Sequence, residues 1–179
     1  MSMVFKFRML SDLSDNFVRD YEVMYDTNLL DFNDFICEDL GYDIEGMASF
    51  FFSDGQWRKL QEYTLMDMDT EAEQDEYCSD PASAPIPMGD VNLGQIIHHL
   101  GDRLIWNYSD IEGEVAYYLE LLEPTVADPA VEYPRTIFAH CNAINLSDAN
   151  YEDEKSIFDE MMDDFNDFGG GDDSYDDEY

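Results

Sequence analysis

From residue 3 to residue 9 the chain alternates in period two, with Met3, Phe5, Phe7 and Met9 on one side of an extended backbone and Val4, Lys6 and Arg8 on the other. A segment so patterned buries one face and satisfies its backbone groups only in a sheet, so a strand is predicted over about residues 3 to 10. Residues 11 to 16 are turn formers, and Phe17, Arg19, Tyr21 and Val23 then alternate again, which predicts an antiparallel hairpin. Leu29, Phe32, Phe35, Ile36 and Leu40 recur at helical spacing, with Thr27 as the expected N-cap, Asp31 in the first turn and Gly41 as the stop. This amphipathic helix is expected to cover the hairpin.

The apolar run Met47 to Phe52 is too short for a helix and ends in Ser53-Asp54-Gly55-Gln56. It reads as a strand, with Gly55 the expected positive-φ residue of the turn and Trp57 to Leu65 the returning strand. Residues 67 to 90 are acidic and contain Pro81, Pro85 and Pro87, so an irregular surface insert is expected. A short helix over 93 to 100 closed by Gly101, a strand over 103 to 108, a turn over 110 to 113 and a strand over 115 to 122 follow. Pro124, Pro129 and Pro134 argue against a long element before about residue 136. The fold expected is α+β and two-layer, a mostly antiparallel sheet of five to six strands with one main helix. Its opening strand-strand-helix-strand order is compatible with a β-grasp arrangement.

Charge decides which functions such a fold can serve. The 179 residues include 43 Asp or Glu and 8 Lys or Arg, a formal net charge of -35. Duplex binding through phosphates needs a stripe of bases, and an anionic membrane surface repels such a chain, so neither direct nucleic-acid nor membrane binding is expected. The chain is nevertheless 45% hydrophobic and 15% aromatic, enough apolar surface to fold. Residues 1 to 146 are expected to form one domain and 147 to 179 an acidic tail. That tail holds fourteen carboxylates against the single base Lys155, and the other twenty-nine carboxylates lie before it. Lys6 and Arg8 interrupt the first apolar stretch, so no signal peptide is expected there, and no window reaches the ~18 apolar residues of a membrane span. Cys37, Cys78 and Cys141 are widely spaced, without a CxxC pair. Three reduced thiols in a cytoplasmic protein are the expectation.

Motifs for catalysis are sparse. There is no phosphate-binding Gly-rich loop, no His-Glu-x-x-His and no Gly-x-Ser-x-Gly, so no catalytic residues, metal or cofactor are assigned and a non-enzymatic role is favoured. His98 or His99 with His140 and Cys141 would offer mixed zinc ligands only if the fold joined them. In the tail, Ser156 precedes a stripe of Phe158, Met161, Met162, Phe165 and Phe168 that ends at Gly169. The pattern fits an amphipathic helix over 156 to 168 that binds a partner groove, docks on its own domain or stays disordered, and residues 169 to 179 are expected to be disordered. Arg103 and Arg135 are the core residues expected to recognise a partner carboxylate or to neutralise part of the acidic domain.

The hairpin segments Val4-Phe5-Lys6-Phe7 and Phe17-Val18-Arg19 come first, then the helix from Phe32 to Leu40 with Gly41-Tyr42-Asp43 after it. Ser49-Phe50-Phe51-Phe52, Trp57 and the run Gly101-Asp102-Arg103-Leu104-Ile105-Trp106-Asn107-Tyr108 follow. In that order they resemble the Ri-plasmid open-reading-frame-three family over about residues 3 to 138, and the acidic insert and tail resemble its Bacteroidota branch. Some members are labelled as passenger proteins of insertion elements, so the resemblance implies a compact α+β domain and a link to mobile elements, with no settled activity. Many members follow Tyr-Pro-Arg with Gly-Cys-Pro-Pro-Glu-Asp, whereas here Tyr133-Pro134-Arg135 leads into Thr136-Ile137-Phe138. Some relatives carry a resolvase-like label, yet five dispersed arginines do not make a serine-recombinase site. The function expected is a cytoplasmic protein-interaction module with an unidentified protein partner. Two alternatives are an acidic DNA mimic that occupies the basic groove of a nucleic-acid enzyme, and a metal-dependent enzyme.

Overall fold

The computed structural model describes residues 2–66 and 84–149. The opening alternation becomes strand β1 (Met3–Ser11), which pairs antiparallel with β2 (Val18–Met24) from Val4 opposite Met24 to Leu10 opposite Val18. Helix α1 (Leu29–Leu40) starts on Asn28, whose side chain accepts from the Leu30 backbone N–H, so the cap lies one residue beyond the expected Thr27. Gly41 ends it at φ 74°.

Strands β3 (Met47–Ser53) and β4 (Lys59–Thr64) form the second hairpin. Its left-handed residue is Trp57, at φ 62°, and not Gly55. Tertiary contacts hold this strained turn. The Trp57 ring meets Tyr118 edge-on at 5.2 Å and lies under the Arg103 guanidinium at 4.6 Å, while Asp54 accepts from the backbone of Gln56 and Arg58.

Residues 67–83 of the expected insert lie outside the described residues. Its last part is ordered: β5 (Ile86–Pro87) runs parallel to β4, and Met88–Asp90 make a 3-10 turn that buries Met88 completely. Helix α2 (Leu93–Ile96) is a single turn and not the longer helix expected, because the Asp102 carboxylate accepts from the His98 and His99 backbone N–H groups and turns the chain into β6 (Arg103–Ser109).

Strand β7 (Glu114–Val126) runs straight through Pro124, contrary to the expectation of no long element there. Its β6 partner ends at Arg103 opposite Glu120, and its pairing with β1 shifts register between Lys6 and Phe7. Pro124 thus sits on a half-open stretch beside a bulge, where a missing N–H is tolerated. Strand β8 (Arg135–His140) pairs with β2, and α3 (Leu146–Ala149) follows.

The architecture is α+β with one mixed eight-stranded sheet in the order β5-β4-β3-β6-β7-β1-β2-β8. This corrects the expected number of five or six strands to eight, with every pairing antiparallel except β4 with β5, and the order replaces the β-grasp arrangement. The two strands missed, β5 and β8, are the sheet edges, and they are mostly exposed, which leaves little alternation to detect. Phe7, Tyr21, Phe50, Trp106 and Tyr117 on the inward face meet Leu29, Phe32 and Ile36 of α1, all fully buried. Met88, Leu93, Ile97 and Leu146 join this same cluster, so the 3-10 turn packs on one face with α1, α2 and α3. Phe32 is central, stacked on Phe50 at 5.6 Å and flanked by Phe7 at 5.8 Å. Removing its ring leaves a cavity that the sheet cannot collapse into. Phe32→Ala is expected to lower the free energy of unfolding by about 4 kcal/mol in urea titration, and a loss below about 1 kcal/mol would contradict this packing.

Candidate functional site

The residues that alternate with the inward row point to the opposite sheet face, and there register brings opposite charges together. Asp20, Arg8, Glu120 and Arg103 are successive cross-strand partners on β2, β1, β7 and β6. Arg8 donates through Nε and Nη2 to both Asp20 oxygens at 2.8 Å, and Arg103 Nε donates to Glu120 Oε2 at 2.9 Å. Hydrogen bonding to Asp20 also raises the Arg8 pKa. Along the sheet a second row runs Arg135, Glu22, Lys6 and Glu123 on β8, β2, β1 and β7. Arg135 Nε donates to Glu22 Oε2 at 2.7 Å and Lys6 Nζ to Glu123 Oε1 at 3.2 Å. Both rows alternate in sign across four strands, the arrangement that favours cross-strand pairs.

Arg103 and Arg135, expected to recognise a partner carboxylate or to neutralise part of the acidic domain, each form an ion pair within the chain. Arg103 also donates to the Gly55 carbonyl, and Arg135 lies 5.6 Å from the Tyr133 ring centroid. The Phe158, Met161, Met162, Phe165 and Phe168 stripe lies outside the described residues. His98 and His99 precede β6, whereas His140 and Cys141 end β8, four strand spacings or about 19 Å across the sheet. All four are exposed, and His140 Nδ1 contacts the Asn16 carbonyl at 2.6 Å. Among the described residues no group of three or more His, Cys, Asp or Glu could hold a metal ion.

The other bases are equally committed. Arg19, 6% exposed, reaches Asp39 of α1 at 3.3 Å and donates to the Val18 and His140 carbonyls. Arg58 pairs with Asp54, and the Lys59 ammonium lies 4.0 Å from the Phe51 ring centroid. Asp39 also accepts from Tyr21 Oη at 2.9 Å and Thr136 Oγ1 at 2.6 Å, so one carboxylate ties the end of α1 to β2 and β8.

Among the described residues, two clefts beside α1 are lined by carboxylates and hold no base in their linings. Asp31, Asp34 and Glu38 follow one outer edge of α1, and with Phe35, Tyr42, Asp43, Ile44 and Pro134 they line an open cleft of 680 Å³. A second cleft of 570 Å³ shares Asp43 and is lined by Glu45, Met47, Asp110, Ile111 and Glu112, among others. Neither lining contains a Lys, Arg or His. The segment between the clefts is fixed from below. Tyr42 stacks on Tyr108 at 4.8 Å, Tyr108 Oη donates to the Asp43 carbonyl at 2.7 Å, and a Cβ at Gly46 would stand 2.2 Å from that same hydroxyl. Tyr42 Oη donates to the Ile144 carbonyl and meets Tyr117 Oη, each at 2.6 Å. Trp106 Nε1 donates to the buried Asn33 Oδ1 at 2.9 Å.

The sequence offered no signal for these clefts. With 43 carboxylates in 179 residues, acidic spacing alone selects nothing. Only the commitment of the bases to other carboxylates, Arg19 to Asp39 among them, makes Asp31, Asp34, Glu38 and Asp43 distinctive.

No family model and no curated protein matches this chain. Among solved structures, the crystal structure of a protein of unknown function, MM3350 from Methanosarcina mazei Go1, is similar over 99% of this chain and 95% of its own. The TM-score is 0.64 at 15% sequence identity, a likeness of fold. Among the described residues no helix is long and apolar enough to cross a membrane.

Beneath the clefts the ionisable groups are held neutral. Burial, with Asp34 and Asp43 nearby, pushes the Cys37 thiol from its ordinary 9.0 up to about 12. Burial and Asp110 push the Tyr108 hydroxyl from 10.0 up to about 12, and Tyr42 is raised further by burial and its bond to Tyr117. For an acid whose pKa rises on folding, stability is fully present below the unfolded pKa and is lost as pH rises through the folded one. The urea midpoint is accordingly expected to hold up to about pH 9 and fall steadily towards pH 12; a midpoint independent of pH over that range would contradict it. Iodoacetamide at pH 8 is expected to modify Cys141, which is exposed, and to spare Cys37 until the chain unfolds, as read by peptide mass spectrometry.

Proposed function

We propose that this chain is a non-enzymatic, cytoplasmic protein-interaction module that presents the acidic surface of α1 and the β6–β7 turn to a basic protein partner. The observation that carries the reading is the segregation of charge. Lys6, Arg8, Arg103 and Arg135 are spent in the sheet ladders, and the two clefts that share Asp43 are lined by carboxylates without a base. Such a field raises association rates with a cationic surface and rejects anionic ones. The displaced ionisations of Cys37, Tyr21, Tyr42 and Tyr108 also favour binding over catalysis, since each stabilises the neutral form and none prepares a base or nucleophile.

The proposal takes the chain as a relative of the Ri-plasmid open-reading-frame-three family linked to mobile elements, on the residues quoted above. The tail stripe Phe158, Met161, Met162, Phe165 and Phe168 is its second, tethering element. A DNA-mimic form of the same reading is favoured by the continuity of the two clefts through Asp43, and it makes the partner's basic groove one that ordinarily holds duplex DNA.

Affinity purification from the native cell, followed by mass spectrometry, tests both. Asp31→Asn/Asp34→Asn/Glu38→Gln is expected to lose the principal partner at about physiological ionic strength, where exposed charge pairs within a Debye length of about 8 Å still act. An unchanged partner set would contradict the reading. Competition by duplex DNA identifies the mimic, and a chain ending at Asn150 that keeps every partner would remove the tail's role.

A further inference from the structure

The cleft along α1 has a feature that a purely electrostatic surface does not need: an apolar floor. Phe35 and Tyr42 are half-buried there, Pro134 closes one end, and Ile44 is 57% exposed in a loop whose backbone is pinned by Tyr108. Around that floor stand Asp31, Asp34, Glu38 and Asp43. Resting on the interaction reading above, we propose that this groove seats a basic amphipathic helix of the partner protein. Its apolar ridge fills the floor and its Lys and Arg side chains meet the carboxylate rim.

Geometry favours a helix over other cationic occupants. Asp31, Asp34 and Glu38 stand at i, i+3 and i+7 on α1, two turns or about 10.5 Å of axis, on the same edge as Phe35 at i+4. A second helix packed alongside at the usual 8–10 Å presents its own i, i+3 or i+4, and i+7 positions to that row. One stripe of its side chains then enters the groove, and the flanking bases reach the rim along their aliphatic stems. A polyamine, or a partner's basic groove shaped for duplex DNA, would use the carboxylates and leave Ile44 and Phe35 wet. An anionic lipid surface would be repelled.

The test is fluorescence anisotropy on the full chain with a labelled synthetic peptide of about four helical turns, carrying Leu on one stripe and Lys beside it. A peptide of the same composition in scrambled order and spermine are the comparison probes. The amphipathic peptide is expected to bind at least about tenfold more tightly than the scrambled one. Ile44→Gln, a substitution at an exposed side chain, is expected to erase that advantage with an unchanged thermal melting point, and Asp34→Asn/Glu38→Gln to weaken both peptides. Equal affinity for ordered and scrambled peptides, or binding of spermine alone, overturns the seated helix and leaves the acidic-surface reading standing. Peptide binding unaffected by Asp34→Asn/Glu38→Gln overturns both.

Discussion

Positive charge is the scarce resource of this chain, and its placement by strand register governs the rest of the structure. An eight-stranded sheet covered by helices on one face leaves the other in water, where outward side chains must be compatible with their cross-strand neighbours. Asp20, Arg8, Glu120 and Arg103 meet that demand in one row, and Arg135, Glu22, Lys6 and Glu123 in another. Each pair is part-exposed and contributes modestly, on the order of 1 kcal/mol or less. Their collective effect is on specificity, because a one-residue slip of β1 against β7 would set Lys6 and Arg8 among inward aromatics and leave Asp20 and Glu123 without their bases. On the helix side Arg19 is spent on Asp39, and the linings of the two clefts hold no base.

The helix side is organised instead by aromatic packing and two buried polar joints. Phe32, Phe50, Trp106, Tyr108 and Tyr117 form the ground under α1, and Asn33 satisfies the Trp106 indole. Asp39 takes hydrogen bonds from Tyr21, Thr136 and Arg19, which fixes the C-terminal end of α1 to the β2–β8 edge. Asn28 and Asn92 pair as an isolated bridge, which ties the start of α1 to the start of α2. With both ends held, the outer row of Asp31, Asp34 and Glu38 keeps a constant orientation to the Tyr42–Ile44 segment. The acidic groove is thus a consequence of how α1 is anchored.

The first hairpin, α1 and the β3–β4 and β6–β7 hairpins were legible because each repeats its period over enough residues and is bounded by turn formers, as in residues 11 to 16 or at Gly41. Strand β8 was not, since an edge strand such as Arg135–His140 is mostly exposed and lacks alternation. Pro124 misled for a physical reason: it marks a forbidden position in a central strand and a tolerated one beside a bulge. Arg103 and Arg135 stood out as polar residues in an apolar context, yet their partners Glu120 and Glu22 become identifiable only once register is known. The carboxylates of the groove had no distinguishing pattern at all, because distinctiveness there is the absence of something placed elsewhere.

Strand register has sorted the charge, leaving the outer edge of α1 anionic and the open sheet face close to balanced along its ladders. Paramagnetic relaxation enhancement of backbone amides by a freely diffusing cationic nitroxide, compared with a neutral one, measures that potential directly. Among residues 2–66 and 84–149, the cationic excess is expected to concentrate on the outer edge of α1, on residues 43 to 46 and on the β6–β7 turn, with β1, β2 and the body of β7 showing little. Equal enhancement on both faces, or a maximum over the ladder strands, would contradict it.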